Sequence, residues 1–311
     1  MRILFMGTPD FALFSLCALV EAGEEIIGVV TQPDKPKGRG YALTPPPVKV
    51  YATEQNLPLY QPATLKGEEF SALLSALDPE LIVVVAYGKI LPKNVLDYPK
   101  YGCVNVHGSL LPEYRGAAPM QRAIIDGKAE TGITTMMMDV GLDTGDMLLV
   151  KKMPIEQNDN FETVHDKLGA LGAQALIETV AAMKNGTLTR TKQSDEGATY
   201  AAKIEKADCL IDFSKSAQEV HDLIRGLSPI PLAFTHTPDG KLLKVTAAEV
   251  VSEDGEHTAV GEVLSLDGGK ITVACKKGCV ALLSVLPEGK KRMAAADFIN
   301  GRRIKTGDIL A

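Results

Sequence analysis

The stretch from 102 to 119 reads Gly-Cys-Val-Asn-Val-His-Gly-Ser-Leu-Leu-Pro-Glu-Tyr-Arg-Gly-Ala-Ala-Pro, and it opens as an apolar strand interrupted by two polar residues. Asn105 and His107 are two positions apart, so both project from one side of that strand. They fall near its C-terminal end, where open parallel sheets hold ligands. An imidazole can donate a hydrogen bond and exchange a proton near neutral pH. A carboxamide is a neutral group that can hold an oxygen. Together they can stabilise the oxyanion that develops during acyl transfer. The plainer alternatives are a hydrogen-bonded histidine at a strand end and an asparagine that closes the strand into a turn.

A second segment, Met138-Asp-Val-Gly-Leu-Asp-Thr-Gly-Asp-Met147, reads as a loop after a buried apolar run and carries Asp139, Asp143 and Asp146. Its glycines allow sharp turns and close approach of the backbone to a ligand. A carboxylate beside His107 would orient the imidazole and favour its cationic form. Residue type and spacing leave all three aspartates open, and each would serve equally as a turn former. A third segment, 32–47, is long for a strand-to-helix connection. Its Lys35, Lys37 and Arg39 oppose only Asp34, so it could grip phosphates or simply be a solvated surface loop.

These candidates need a scaffold, and the patterning supplies one. Apolar strands are expected at Ile3–Met6, Ile26–Val30, Leu81–Val85, Gly102–Val106 and Ile133–Met138. Helical patterns fall between them at Phe11–Glu21, where Asp10 could cap, and at Leu65–Leu77 and Ala117–Asp126. Alternating strand and helix implies a parallel-dominated, Rossmann-like α/β sheet covered on both faces. A long helix is expected from Asn160 to Lys184, where Phe161, Val164, Leu168, Leu171, Ala175 and Ile177 recur at helical spacing. The polar stretch Thr187–Ala207 has no clear period and reads as a surface linker.

After Ile211 the pattern changes. One short helix, Ser216–Arg225, precedes the turn Ser228-Pro-Ile-Pro231. Alternating strands follow at Leu232–Thr235, Leu242–Val251, Gly261–Leu266, Lys270–Ala274 and Val280–Val285, separated by Asp-Gly turns. Five strands at this spacing fit a small OB-fold-like β-barrel. Ala294–Asn300 reads as a short closing helix. The expected division is therefore 1–188, a linker at 189–207, and a barrel domain at 208–311. From Lys270 to Lys305 nine basic residues, Lys290, Lys291, Arg302 and Arg303 among them, face only Glu288 and Asp297, a local charge of +7. Such a stretch is either a solvated basic face or a grip for a nucleic-acid backbone.

The bulk numbers agree with two domains, since 311 residues exceed what a single core usually serves. The formal net charge is −6, so any nucleic-acid contact must use local patches. Five scattered cysteines make no disulfide framework, and the pair Cys275 and Cys279 lacks a second ligand pair, so reduced thiols and no metal are expected. The opening Met-Arg-Ile-Leu-Phe-Met-Gly reads as a first strand rather than a signal peptide, and no apolar run is long enough to span a membrane. A cytoplasmic location is expected. Gly7-Thr-Pro-Asp lacks the glycine fingerprint of dinucleotide sites, and no Walker, His-Glu-x-x-His or Gly-x-Ser-x-Gly motif is present.

Taken together, these segments resemble the methionyl-tRNA formyltransferase family over nearly the whole chain. Gly7-Thr-Pro-Asp-Phe-Ala12, Ala86-Tyr-Gly-Lys-Ile-Leu-Pro92, the Asn-x-His-x-Ser-Leu-Leu-Pro run at 105–112, Asp139-x-Gly-Leu-Asp-Thr-Gly145 and Gly301-Arg-Arg-Ile-Lys-Thr-Gly-Asp308 are similar to that family's segments. Val30-Thr-Gln-Pro-Asp34 with Gly38-Arg-Gly40 resembles its tRNA-contacting loop. The resemblance implies that Asn105, His107 and Asp143 are catalytic and that Ser109, Leu110, Leu111 and Pro112 line a tetrahydrofolate site. It implies tRNA contacts at Lys35, Lys37, Arg39, Lys290, Lys291, Arg302 and Arg303. It further implies 10-formyltetrahydrofolate as formyl donor, initiator methionyl-tRNA as acceptor, no metal, and a monomer. The Asn/His/Asp set is shared with sugar-nucleotide amine formyltransferases and formyltetrahydrofolate hydrolases; the basic loop and the basic barrel favour the tRNA enzyme over these and over a tRNA-binding protein without catalysis.

Overall fold

The computed structural model describes residues 1–37 and 42–311, so Arg39 lies outside the described residues. The chain divides into two compact units. One comprises Met1–Gly116, Thr131–Met153 and His165–Tyr200; the other comprises Ala117–Glu130, Pro154–Val164 and Ala201–Ala311.

The first unit is built on a sheet of seven strands. In chain order these are β1 (Arg2–Gly7), β2 (Glu25–Val30), β3 (Leu59–Tyr60), β4 (Leu81–Val85), β5 (Cys103–His107), β6 (Glu130–Met137) and β7 (Met147–Pro154), arranged β7-β6-β5-β4-β1-β2-β3. β1 pairs in parallel with β2 and β4, and β2–β3 and β4–β5 are parallel too. β6 runs antiparallel to β5. Parallel strands are covered on both faces and so need unbroken apolar runs. All five residues of Leu-Ile-Val-Val-Val in β4 are buried, as are five of the six in β1.

Helices α1 (Asp10–Glu21), α2 (Pro47–Glu54), α3 (Glu68–Leu77) and α4 (Lys93–Leu96) precede α5 (Pro119–Ile125) of the second unit and the long α6 (Phe161–Lys184). Within the first unit α6 passes Phe14 of α1 at Gly169, where a Cβ would collide with the Phe14 ring. Asn160 caps α6, its Oδ1 accepting from the Thr163 N–H at 2.9 Å. Asp10 differs from expectation. It is the first residue of α1 rather than its cap, which is Pro9, and its carboxylate accepts from the neighbouring Phe11 N–H.

Several elements are not visible in the sequence pattern, the short β3 and α4 among them. β7 alternates half-buried, buried and exposed positions along Met-Leu-Leu-Val-Lys-Lys-Met-Pro, as an edge strand does, and its lysines mask the alternation. The 34–47 segment contains a short antiparallel pair, Lys35–Lys37 with Ala42–Thr44. α2 starts directly on Pro47, which suits a first helical turn because its missing N–H would be unpaired there anyway.

The second unit is a small antiparallel β domain. Its strands β8 (Ala233–His236), β9 (Leu242–Glu256), β10 (Val263–Ser265), β11 (Ile271–Ala274) and β12 (Lys277–Pro287) lie in the order β8-β9-β12-β11-β10, with β13 (Met293–Ala294) added on β12. β9 and β12 are long and their register shifts repeatedly, so the sheet bends along them. α7 (Ala217–Gly226) starts from a capping box in which Ser216 and Glu219 satisfy each other's backbone N–H groups. Its Val220 and Ile224 join Phe213, Leu243, Val245, Val273, Leu282 and, from α8 (Ala295–Asn300), Phe298 in one buried core.

Candidate active site

The strand order of the first sheet reverses between β1 and β4, which opens a crevice at their carboxyl ends. Side chains beyond those ends tie the mouth together. The Thr8 hydroxyl and the Gln32 amide both donate to the carbonyl of Tyr87, at 3.0 and 3.2 Å. The Tyr87 ring is buried in the core beneath; burial pushes its hydroxyl up to about 12, and among the described residues that hydroxyl has no hydrogen-bond partner. β5 ends beside this crevice. It carries Asn105 opposite Met136 and His107 opposite Thr134 of β6, so the two polar side chains share one face.

His107 is 6% exposed and held by a hydrogen bond at one ring nitrogen. Nε2 lies 2.9 Å from the carbonyl of Tyr114, and a carbonyl only accepts, so Nε2 carries a hydrogen. Nδ1 faces the Asp143 carboxylate at 3.7 Å, too long for a direct hydrogen bond. The imidazole therefore presents its Nδ1 edge to the carboxylate. Among the described residues the half-buried Asn105 amide has no hydrogen-bond partner, which leaves its donors and its oxygen for a ligand.

The structure separates the three aspartates that residue types could not. Asp139 holds its own loop: its Oδ1 accepts from the Gly141 N–H at 2.9 Å and from the Thr144 hydroxyl at 2.7 Å. Asp146 contributes its backbone carbonyl to the Met137 N–H. Asp143 alone approaches His107, and its Oδ2 accepts from the Gly116 N–H at 2.8 Å. Gly145 makes this loop possible, because a Cβ there would collide with the carbonyl oxygen of Met137.

Tyr114 and Gly116 thus hold the two halves of the pair, one by a carbonyl and the other by an N–H. Between them Arg115 is 2% exposed, and its Nε donates to Gln193 Oε1 at 3.1 Å. Gln193 in turn donates to the carbonyls of Asp143 and Gly145. None of these four residues stands out in the sequence as functional. Two act through backbone atoms, and Gln193 sits in a polar stretch without periodicity.

The Ser-Leu-Leu-Pro run forms a tight turn after β5. Ser109 is fully buried and donates to the Glu113 carbonyl at 2.6 Å, while its own carbonyl accepts from the Thr134 hydroxyl. The Leu111 N–H donates to that same hydroxyl oxygen, which is 3.2 Å away. Leu111 is buried and only Leu110 and Pro112 are partly exposed, so the surface this run offers is apolar side chain and backbone.

Of the basic residues singled out, Lys35 is exposed on the 35–37 strand, and the backbone of Lys37 pairs with Ala42. In the second unit Lys290, Lys291, Arg302 and Arg303 are exposed. Lys290, Arg302 and Arg303 border one cavity together with Lys241, Phe298 and Asp239. Among the described residues no helix is long and apolar enough to cross a membrane.

Two family models match the chain: formyl transferase over residues 1–180 and formyl transferase, C-terminal domain, over residues 203–303. The methionyl-tRNA formyltransferase of Geotalea uraniireducens is 49% identical over 310 residues, covering 100% of this chain and 98% of that protein. That of Pelotomaculum thermopropionicum is 47% identical over 310 residues, again with 100% and 98% coverage. Among solved structures, HypX from Aquifex aeolicus in complex with tetrahydrofolic acid aligns with a TM-score of 0.66 at 17% identity, over 96% of this chain and 47% of that one. An N-formyltransferase from Helicobacter canadensis in complex with folinic acid and dTDP-3-aminofucose aligns with a TM-score of 0.68 at 18% identity, over 91% of this chain and 98% of that one. At such identities these two structures speak for the fold alone.

Proposed function

The chain belongs to the formyl transferase family, and from that premise we propose that it moves the formyl group of 10-formyltetrahydrofolate onto the free amino group of methionyl-tRNA. The observation that carries this reading is the full-length likeness to methionyl-tRNA formyltransferases, joined to an Asn105–His107–Asp143 cluster at the carboxyl end of the sheet.

The residues divide the chemistry as follows. The folate supplies the formyl carbon. Asn105, whose amide is unpartnered among the described residues, and His107 with a second proton on Nδ1 face the place where negative charge builds on the formyl oxygen. Donors held in place before the reaction stabilise that charge without reorganising. The methionyl amine must attack the formyl carbon as a free base and lose a proton toward Asp143, which lies against Nδ1; the bond from that carbon to N10 then breaks as N10 takes up a proton, and tetrahydrofolate leaves. Leu110 and Pro112 give the folate apolar surface, and Ser109 and Leu111 hold the turn that presents them.

The basic residues support the tRNA partner. Lys35, Lys37 and Arg39 in the first unit, and Lys290, Lys291, Arg302 and Arg303 in the second, supply positive charge that a net-acidic chain otherwise lacks. The division into a catalytic domain at 1–188, a linker at 189–207 and a tRNA-holding domain at 208–311 belongs to the same reading, as do a cytoplasmic location, a monomeric state and chemistry without a metal. The deciding experiment offers the full chain 10-formyltetrahydrofolate with charged initiator methionyl-tRNA or with an amino-sugar nucleotide. Formylation of the tRNA is expected. Turnover of the sugar nucleotide alone would replace this reading with that of a sugar amine formyltransferase.

A further inference from the structure

We propose that Gln193 is a positioning residue for Asp143 and that Arg115 holds Gln193 in register; the inference rests on reading Asp143 as the acidic partner of His107. Gln193 is 9% exposed, and each of its polar groups is engaged. Its Nε2 donates to the carbonyl of Asp143 at 2.9 Å and to that of Gly145 at 2.7 Å, while Oε1 accepts from Arg115 Nε at 3.1 Å. A rotated amide would turn an oxygen against two carbonyls, so the network fixes its orientation. The buried guanidinium of Arg115 also donates to Asp195 Oδ1 at 3.2 Å and to the Ser194 carbonyl at 3.4 Å. A guanidinium removed from water needs partners for its N–H groups, and these lie on three consecutive residues, 193–195.

Asp143 needs such a hold. Its φ is 53°, in the left-handed region that a side chain with a Cβ disfavours. The apolar residues nearest to it give little anchorage, since Val140 is 75% and Leu142 57% exposed. What fixes the loop is polar: Asp139 from within, and Gln193 from outside at the carbonyls on both sides of Thr144. Gly116 N–H holds the carboxylate of Asp143 and Gln193 holds its carbonyl, so Arg115 and Gly116, adjacent in the chain, fix both ends of one residue.

The test compares full-length Gln193→Met and Gln193→Glu with the unaltered chain. Both variants lose the two Nε2 donors, and the glutamate keeps the size and the acceptor for Arg115. The first readout is hydrogen exchange. Amides of 139–146 are expected to exchange at least about tenfold faster in both variants, with β1 and β4 unchanged. The second is kinetics: kcat is expected to fall about tenfold to a hundredfold, with KM for each substrate within about twofold. Combined with Asp143→Ala, either substitution is expected to add no further loss, because both act through one carboxylate. Unchanged exchange over 139–146 overturns the proposal, and so does a loss that multiplies with that of Asp143→Ala. Protection lost throughout β1 and β4 in both variants overturns it in favour of a general structural role. Faster exchange over 139–146, in a protein that does not formylate methionyl-tRNA, supports the positioning of Asp143 and overturns the functional reading instead.

Discussion

His107 gives its Nε2 hydrogen to the carbonyl of Tyr114 at 2.9 Å, and this one bond decides which nitrogen meets Asp143. Ring rotation is blocked because a flipped imidazole would lose the carbonyl, and at 6% exposure no water competes freely for the hydrogen. Nδ1 is left at 3.7 Å from the carboxylate, with room for a proton to pass to either group or to a substrate.

Removing either member of this pair should slow the reaction far more than it weakens binding. His107→Ala and Asp143→Ala are each expected to lower kcat for formylation of methionyl-tRNA by at least about a hundredfold, the scale of one general acid–base group. Steady-state kinetics with both substrates varied provides the check; near-normal kcat in both variants would remove the assigned roles.

Asn105→Asp keeps the shape of the side chain and replaces a donor with an acceptor. If the amide faces a developing oxyanion, the carboxylate opposes that charge, and kcat should drop by about a hundredfold or more. Circular dichroism and the melting temperature should stay near those of the unaltered chain, because the amide makes no internal hydrogen bond among the described residues.

Gly145→Ala tests the loop itself. The added methyl must displace the Met137 carbonyl, so a loss of at least about 2 kcal/mol is expected, with activity falling in parallel. Thermal unfolding measures the first and the formylation assay the second.

Replacing Lys290, Lys291, Arg302 and Arg303 with alanine should raise KM for the tRNA and leave KM for the folate unchanged. The log–log salt dependence of tRNA binding should become shallower by about one for each phosphate contact removed. A slope unchanged by all four substitutions would take this face out of the interaction.

Cys103 gives a prediction for alkaline pH. Burial pushes its thiol from an ordinary value of 9.0 up to about 12, with the Asp97 charge adding to the shift. The unfolded chain therefore loses this proton near 9.0 while the folded chain keeps it. The folded state binds more protons across that window, so stability is intact below pH 9 and declines as pH rises toward 12. The slope is at most about 1.4 kcal/mol per pH unit. Melting temperatures between pH 8 and pH 11, compared with Cys103→Ala, measure this thiol's part of the slope.

Much of the scaffold was legible because burial dictates composition. The unbroken apolar run in β4, the helical period of α6 and the Ser216–Glu219 capping box each express a local rule that needs no distant partner. Asn105 and His107 could be singled out because polar residues at alternate positions of a buried strand demand a reason. Residue type and spacing left Asp139, Asp143 and Asp146 open and only the family resemblance pointed to Asp143; in three dimensions one aspartate caps its own loop and another faces an imidazole. β7 was hidden by lysines on an edge, and Gln193 by the ordinariness of a glutamine among polar neighbours.

The stretch Tyr114–Arg115–Gly116 acts as a common datum for the site. Imidazole and carboxylate are both held from within three consecutive residues, in addition to the strand and the loop that carry them. Transplanting the pair to another scaffold would accordingly mean carrying the tripeptide along with it, because the two side chains alone do not encode the distance between them.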